Sequence, residues 1–562
     1  MNPKKPDELV FLALGGAGEI GMNLNLYGLG PPGGETWIMV DLGITFANGS
    51  QPGIDVILPD PAFIVERRDK LAGLVLTHAH EDHLGAVPYL WERLRCPIYA
   101  TPFTLSILRR KLAETDFADE IEIIEVPLGG RFTVGPFDME LITLTHSIPE
   151  PNAIAIRTEL GTVLHTGDWK FDPNPVVGDC ADLDALKRLG DEGVLALICD
   201  STNVFTPGDS GSEADLLESL SKLIGQCRGR VAVACFASNV ARLETIARAA
   251  TANGRDVVLA GRSLWRINEA ARENGYLADI AAFIDEEDSG HLPDDKALII
   301  CTGSQGEPRA ALSRIAAGEH ANVTLKAGDT VIFSARMIPG NEAGIGRLHN
   351  QLVRNGITVI TDKDHFIHVS GHPARDELTR MYQLSRPRIA IPVHGERRHL
   401  EEHADLARQC QVATAIAAEN GSMIRLAPGR PGISGEVPAG RLALDGNRLV
   451  PMSGELIRGR NRALYNGLAV ITLALDENGE AAARPEFSTA GLLEAGEEDI
   501  AEAAIEAALD AVRELKAKKR MDDDIVREAV RIAVRRAFRK TLEKRPVTIV
   551  HLIRVSGDSK QS

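Results

Sequence analysis

The apolar run Leu71-Ala-Gly-Leu-Val-Leu-Thr77 leads directly into His78-Ala79-His80-Glu81-Asp82-His83. Three imidazoles and two carboxylates packed into six residues cost stability unless something binds them. Neutral imidazole and carboxylate are ligands for zinc-like divalent ions, so a metal is the natural occupant. His78 and His80 alternate, and an extended or turning backbone aims both the same way. Asp82 and His83 open a helix expected over 83–94 and turn toward the same space. A charged surface turn is the plain alternative, but surface turns seldom concentrate imidazoles in this way. The hexapeptide implies a metal-dependent hydrolase.

Around it lies a chain of 562 residues, too long for one core, which suggests roughly three to four domains. Apolar and charged fractions of 44% and 25% are those of a globular protein. No run approaches the roughly 18 apolar residues of a membrane span, and the opening Met-Asn-Pro-Lys-Lys-Pro-Asp has no signal-like apolar core. The seven cysteines are scattered, with no CxxC pair, as expected of buried thiols in a reducing cytoplasm. A formal net charge of −17 argues mildly against a nucleic-acid partner, although bound divalent cations and a local basic cleft can reverse the sign where it matters.

Six apolar strands end in one polar residue each: Asp41, His78, His146, Asp168, Asp200 and His394. Ligands gather at the carboxyl ends of strands, where loops converge, so six such residues beside a metal motif read as one shared site. Gly16-Ala-Gly18-Glu-Ile-Gly21 matches a dinucleotide fingerprint, but strand-period alternation follows it where that fingerprint needs a helix. A tight turn between two strands is the better reading. Between 209 and 364 strands and helices alternate as in a parallel-sheet α/β domain, inserted into the first fold because His394 follows it. The boundaries expected are 1–208 and 365–450 for the two parts of the first domain, 209–364 for the insert, 451–466 for a linker, and 467–562 for a C-terminal α+β domain; residues near 430–465, rich in Gly, Pro and Arg, read as a connector. That last domain reads as strand, two helices and strand. The basic stripe of its second helix (Arg527, Arg531, Arg535, Arg536, Arg539, Lys540) reads as a solvated face before an RNA-contacting one.

Two metals need more ligands than the hexapeptide holds, and His146 and Asp168 supply a third ligand and a bridging carboxylate. Asp41, His78-x-His80-x-Asp82-His83, His146 and Asp168 resemble the motif series of the metallo-β-lactamase fold. Asp200-Ser-Thr-Asn203, Ser370-Gly-His372 and Pro392-Val-His394-Gly-Glu396 resemble the further series of its nucleic-acid-processing β-CASP branch. The segments Gly15-Gly-Ala-Gly-Glu-Ile-Gly-Met-Asn23, Thr302-Gly-Ser-Gln-Gly-Glu-Pro308, Ile338-Pro-Gly-Asn-Glu342 and His368-Val-Ser-Gly-His372 resemble the bacterial ribonuclease J family over about residues 8–450.

The resemblance implies an α/β fold, a metallo-β-lactamase αββα sandwich with an inserted β-CASP domain and a small C-terminal α+β domain. It implies two divalent metal ions, with zinc favoured and manganese or magnesium as the other candidates. His78, His80, His146 and Asp168 would hold one ion, and Asp82, His83, Asp168 and His394 the other. Asp41 would orient the histidines. Asp82, Asp200 and His372 would form the catalytic group, with His372 at the scissile phosphate as a possible proton donor to the leaving oxygen. His368, Val369, Ser370, Gly371 and His372 would hold the nucleotide and its 5′-phosphate. Phe236 could stack a base while Ser238 and Asn239 bind phosphate, although Phe236 by itself reads as core. A histidine at 394 is the mark of the RNA-processing members. The loop 46–53 has none of the acidic residues tied to a calcium site in some relatives, and that site is not carried over.

The implied function is degradation of single-stranded RNA from a 5′-monophosphate end in the 5′→3′ direction, with internal cleavage as a second mode, in rRNA processing and mRNA decay. A homodimer or homotetramer, other RNA-decay proteins as partners, a cytoplasmic location and no membrane are implied with it. Two rivals are a hydrolase of a small ester or thioester on the same fold, and a non-catalytic RNA-binding protein. The inserted domain argues against the first and the complete ligand set against the second.

Overall fold

Alternation decides the layers. In the computed structural model, which describes residues 6–47 and 51–555, the strand Glu8–Gly15 sends Leu9, Phe11 and Ala13 to one side and Val10, Leu12 and Leu14 to the other. Residues 48–50, in the middle of the 46–53 loop, lie outside the described residues. The described chain forms two compact units, 6–47 with 55–442, and 51–54 with 443–555.

In the first unit, two large sheets face each other. One has eight strands, with Glu8–Gly15, Leu24–Gly30, Thr36–Val40 and Leu71–Val75 at its centre. The other has seven, with Gly161–His165, Val194–Asp200 and Ile389–Val393 adjacent and parallel. Leu9, Phe11, Tyr27, Ile38 and Val75 of the first meet Leu141, Ile154, Ile198 and Ile391 of the second in a single buried cluster. On the far side of the first sheet, Trp37 packs edge-on against Phe63 of the helix Ala62–Val65, with ring centroids 5.3 Å apart. On the far side of the second, Leu186, Leu189, Leu378, Met381 and Leu406 of three helices cover Leu164, Leu197 and Ala390. This is the αββα sandwich.

Between the strands Val194–Asp200 and Ile389–Val393, which are neighbours in one sheet, the chain builds a separate six-stranded sheet in which every pairing is parallel. Its strands Val231–Ala234 and Ala297–Cys301 are wholly buried, as strands covered on both faces must be. The helix expected over 83–94 is divided into Glu81–Leu84 and Val87–Leu94, with Pro88 in the first turn of the second piece, where its missing N–H costs nothing.

In the second unit, Leu468–Leu475 is the central strand, antiparallel to Glu486–Ala490 and parallel to Val547–Arg554. Val526, Val530, Val534 and Phe538 recur every four residues along the helix Asp523–Leu542 and bury one face of it. Within the linker expected over 451–466, Glu455–Asn466 is a helix, entered from Gly454 and laced by ion pairs from Glu455 to Arg458 and Arg462. Among the described residues no helix is long and apolar enough to cross a membrane.

Candidate active site

The strand ends converge because the backbone there is bent into place. Asp41 and His394 both adopt left-handed backbone, with φ of +64° and +52°. These conformations are held by backbone hydrogen bonds: Asp41 N donates to Val75 O at 3.0 Å, and His394 N donates to Gly16 O at 2.5 Å. The rejected dinucleotide motif thereby finds its use. Gly16, Gly18 and Gly21 all have positive φ, and Ala17 and Gly18 pair in parallel with Gly395 and Glu396, clamping the His394 turn. Opposite, Gly43 runs so close to the hexapeptide that a Cβ there would lie 1.7 Å from Asp82 O.

Two groups of side chains result. In the first, His80 Nδ1 lies 3.0 Å from His78 Nε2 and 3.1 Å from His146 Nε2. Three ring nitrogens at this spacing cannot all satisfy one another. It is close to the edge, roughly 3.3 Å, of a tetrahedron with metal–nitrogen bonds of about 2.0–2.1 Å. In the second, Asp168 Oδ2 stands 3.2 Å from His83 Nε2 and 3.6 Å from His394 Nε2, and Asp82 Oδ2 stands 3.7 Å from each of the same nitrogens. Asp168 belongs to both groups, since its Oδ2 also lies 4.0 Å from His78 and 3.9 Å from His146. Its Oδ1 is buried without a hydrogen-bond partner. A buried, partnerless carboxylate oxygen among converging lone pairs is the mark of a cation site, and the donor set fits a pair of divalent ions.

The far sides of the His83, His78, His146 and His394 rings are held. Asp41 Oδ2 accepts from His83 Nδ1 at 2.7 Å, while Thr77 donates its backbone N–H and its hydroxyl to the same carboxylate. Thr77 Oγ1 also lies 3.0 Å from His78 Nδ1. His146 Nδ1 donates to Gly371 O at 2.5 Å, and the Asn23 amide lies 3.0 Å from His394 Nδ1. Each arrangement turns the opposite nitrogen toward the ligand groups around Asp168. Burial, reinforced by neighbouring imidazoles, drives the pKa of His78 and His146 well below the usual value, and burial brings His80 down to about 4. All three are therefore neutral and ready to ligate. For His83 burial is outweighed by the carboxylates of Asp168, Asp41 and Asp82, which hold its pKa high.

His372 sits beside this centre. Its Nδ1 donates to Asp200 Oδ2 at 2.8 Å and lies 3.8 Å from Asp168 Oδ2. Burial lowers its pKa, but Asp200 and Asp168 prevail and lift it to about 9.

Family models match consecutive stretches of the chain: the metallo-beta-lactamase superfamily over 26–230, the ribonuclease J beta-CASP domain over 228–352, the Zn-dependent metallo-hydrolase RNA specificity domain over 356–417, and the ribonuclease J C-terminal domain over 455–555. A ribonuclease J from Sinorhizobium meliloti is 45% identical over 98% of this chain and 98% of its own length. The chain belongs to the ribonuclease J family. Another ribonuclease J, from Thermus thermophilus, is 36% identical over 92% of this chain and 91% of its own. A crystal structure of a protein of unknown function from Enterococcus faecalis V583 covers 74% of this chain and all of its own at a TM-score of 0.50 and 18% identity, a likeness of fold alone.

Within this ribonuclease J family fold, the residues expected to touch substrate also make contacts with the chain itself. Ser370 Oγ accepts from Asn203 Nδ2 at 2.7 Å and from His372 N at 3.1 Å, which orders the loop leading to His372. Gly371 lies against His146, where a Cβ would come within 2.8 Å of the ring. Val369 is buried, so its side chain is core, while His368 Nδ1 receives Arg242 Nη1 at 3.3 Å. Asn239 Oδ1 caps the helix Val240–Ala252 by accepting from Arg242 N at 2.8 Å. Phe236 and Ser238, half-buried, sit in the same turn. His165 donates to or accepts from Tyr27 OH at 2.8 Å in the core, as its place on a strand implies. Asn23, Thr77 and Asn203 escaped the sequence. Asn23 and Asn203 nevertheless end two of the segments that carried the resemblance.

Proposed function

We propose that this chain degrades single-stranded RNA from a 5′-monophosphate end, in the 5′→3′ direction, with internal cleavage as a second mode. It is a metal-dependent ribonuclease of the ribonuclease J family. The finer reading further assigns zinc to the metal positions in preference to manganese or magnesium, on the strength of the imidazole-rich donor set. A cytoplasmic setting, a homodimer or homotetramer and a role in rRNA processing and mRNA decay belong to the same reading.

The observation that carries it is the convergence on Asp168 of ligands from separate strand ends, with His372 alongside. When bound, two divalent cations would polarise a phosphoryl oxygen and supply an activated water for in-line attack. His78, His80, His146 and Asp168 would hold one, and Asp82, His83, Asp168 and His394 the other. The chain's own groups do the rest. Asp41 and Asn23 keep the His83 and His394 rings from rotating. Asp200 fixes His372 with its Nε2 outward, and a protonated imidazole there can hand its proton to the departing 3′-oxygen. Bound cations would draw the His372 pKa down toward neutrality, where such a proton is most useful. Ser370 and Gly371 keep the adjoining backbone close to the reacting phosphate.

The test compares RNAs with 5′-monophosphate, 5′-triphosphate and 5′-hydroxyl ends, with and without chelator. Mononucleotides released from the monophosphate substrate, and lost with chelator, are expected. Short internal fragments whatever the 5′ end would refute the exonucleolytic part.

A further inference from the structure

Two segments that carry the family resemblance, Thr302-Gly-Ser-Gln-Gly-Glu-Pro308 and Ile338-Pro-Gly-Asn-Glu342, contribute nothing to the metal centre, yet the fold brings them together. Gln305 spans them. Its side-chain Nε2 donates to Arg336 O at 2.9 Å, while its Oε1 accepts from Ile338 N at 2.9 Å and from Asn341 Nδ2 at 3.2 Å. Gln305 is itself buried, so its amide is a fixed strut. The residue it seats is Arg336, just beyond the carboxyl end of the parallel strand Thr330–Phe333, the end of an α/β sheet at which ligands collect.

Arg336 is exposed and reaches toward the catalytic loop. Its Nη1 donates to Asn203 Oδ1 at 3.0 Å, and Asn203 Nδ2 donates in turn to Ser370 Oγ at 2.7 Å and His372 O at 3.1 Å. One neutral side chain thus separates the guanidinium from the His372 loop. Among the described residues Arg336 has no carboxylate partner. The neighbouring cations differ: Arg242 is bound bidentately by Glu213, at 2.6 and 3.0 Å, and Lys170 is paired with Asp172 at 2.9 Å. Burial first, and then Arg242, Arg336 and Lys170, hold the nearby His368 imidazole well below its usual pKa, so the local field is positive. In a chain of net charge −17, an uncompensated guanidinium seated by two amides beside the reaction centre calls for an anion.

We propose that Arg336, seated by Gln305 and Asn203, is the cation that reads the terminal phosphate of the RNA. This rests on the 5′-end reading above and names the residue that would enforce it. A terminal monophosphate carries more charge and more free oxygens than an internal phosphodiester. A planar guanidinium with several donors can grip it by two parallel hydrogen bonds, which a 5′-hydroxyl cannot accept.

The experiment measures kcat/KM of the metal-loaded full chain on matched RNAs with 5′-monophosphate and 5′-hydroxyl ends, for wild type, Arg336→Gln and Arg336→Lys, with metal content determined alongside. Arg336→Gln is expected to lower the monophosphate-to-hydroxyl ratio by about tenfold or more, chiefly through KM, with metal retained. Arg336→Lys, which keeps the charge and loses the fork, is expected to fall between. A ratio unchanged in Arg336→Gln, whether both rates fall together or neither does, would show a strut to Asn203 and overturn the inference alone. A wild-type ratio near one would refute the 5′-end reading itself, and this inference with it.

Discussion

At the scale of residues, the site is a set of lone pairs aimed at common points by groups behind them. Asp168 matters most, because it joins both ligand groups and its Oδ1 is buried without a partner. Asp168→Ala and His80→Ala are expected to abolish RNA cleavage together with bound metal. His372→Ala should instead slow turnover by 100-fold or more while metal stays bound, as for a lost proton donor (about 10²–10⁴-fold); metal lost from that variant would contradict its role. Asn23→Ala should weaken metal binding by about 10–100-fold, because it frees the His394 ring. A metal titration of each variant separates these outcomes. The imidazoles and carboxylates were legible in the sequence because their chemistry is rare and concentrated. Asn23, Thr77 and Asn203 were not, because an amide or hydroxyl is ordinary until the fold shows which ring it holds. Asn239 shows the converse, a polar residue read toward substrate whose carbonyl oxygen is taken up by a helix N-terminus.

At the scale of elements, the site depends on how strands end. Gly43 leaves no room for a side chain against Asp82 O, so Gly43→Ala must displace the hexapeptide or its own strand end. A loss of metal occupancy with the fold retained by circular dichroism is expected; full occupancy would show that the contact is slack. In the second unit, Phe538 is fully buried against Phe487 and the central strand. Phe538→Ala should cost about 3–5 kcal/mol in denaturant unfolding of that unit. Arg536→Gln, on the opposite, solvated face, should cost no more than about 0.5 kcal/mol. The strands Leu468–Leu475 and Val547–Arg554 were readable from their apolar residues. The strand Glu486–Ala490 was not, having one large apolar residue, Phe487, in an edge position. The helix Glu455–Asn466 was hidden for a related reason: Ile457 is its one buried residue, and its arginines pair locally rather than marking a core face.

At the scale of the whole molecule, a net charge of −17 and an RNA substrate are reconciled locally. The net charge is a total over the whole chain, whereas the metal centre would bring positive charge and Arg336, bonded to Asn203 and without a carboxylate partner among the described residues, stands beside it. The late arrival of His394, after a complete inserted sheet, is what makes one centre out of strand ends far apart in sequence. The insertion was visible in the change from strand-rich to alternating segments; the hold of the Gly16–Gly18 turn on His394 was not, because it runs through backbone hydrogen bonds that no residue type announces. The most direct measurement is the stoichiometry of metal bound per chain, by elemental analysis after saturation with zinc or manganese and removal of excess. Two ions per wild-type chain, and fewer than one in Asp168→Ala, are expected of a carboxylate shared between two sites. One ion or none in the wild type, or two retained without Asp168, would contradict it.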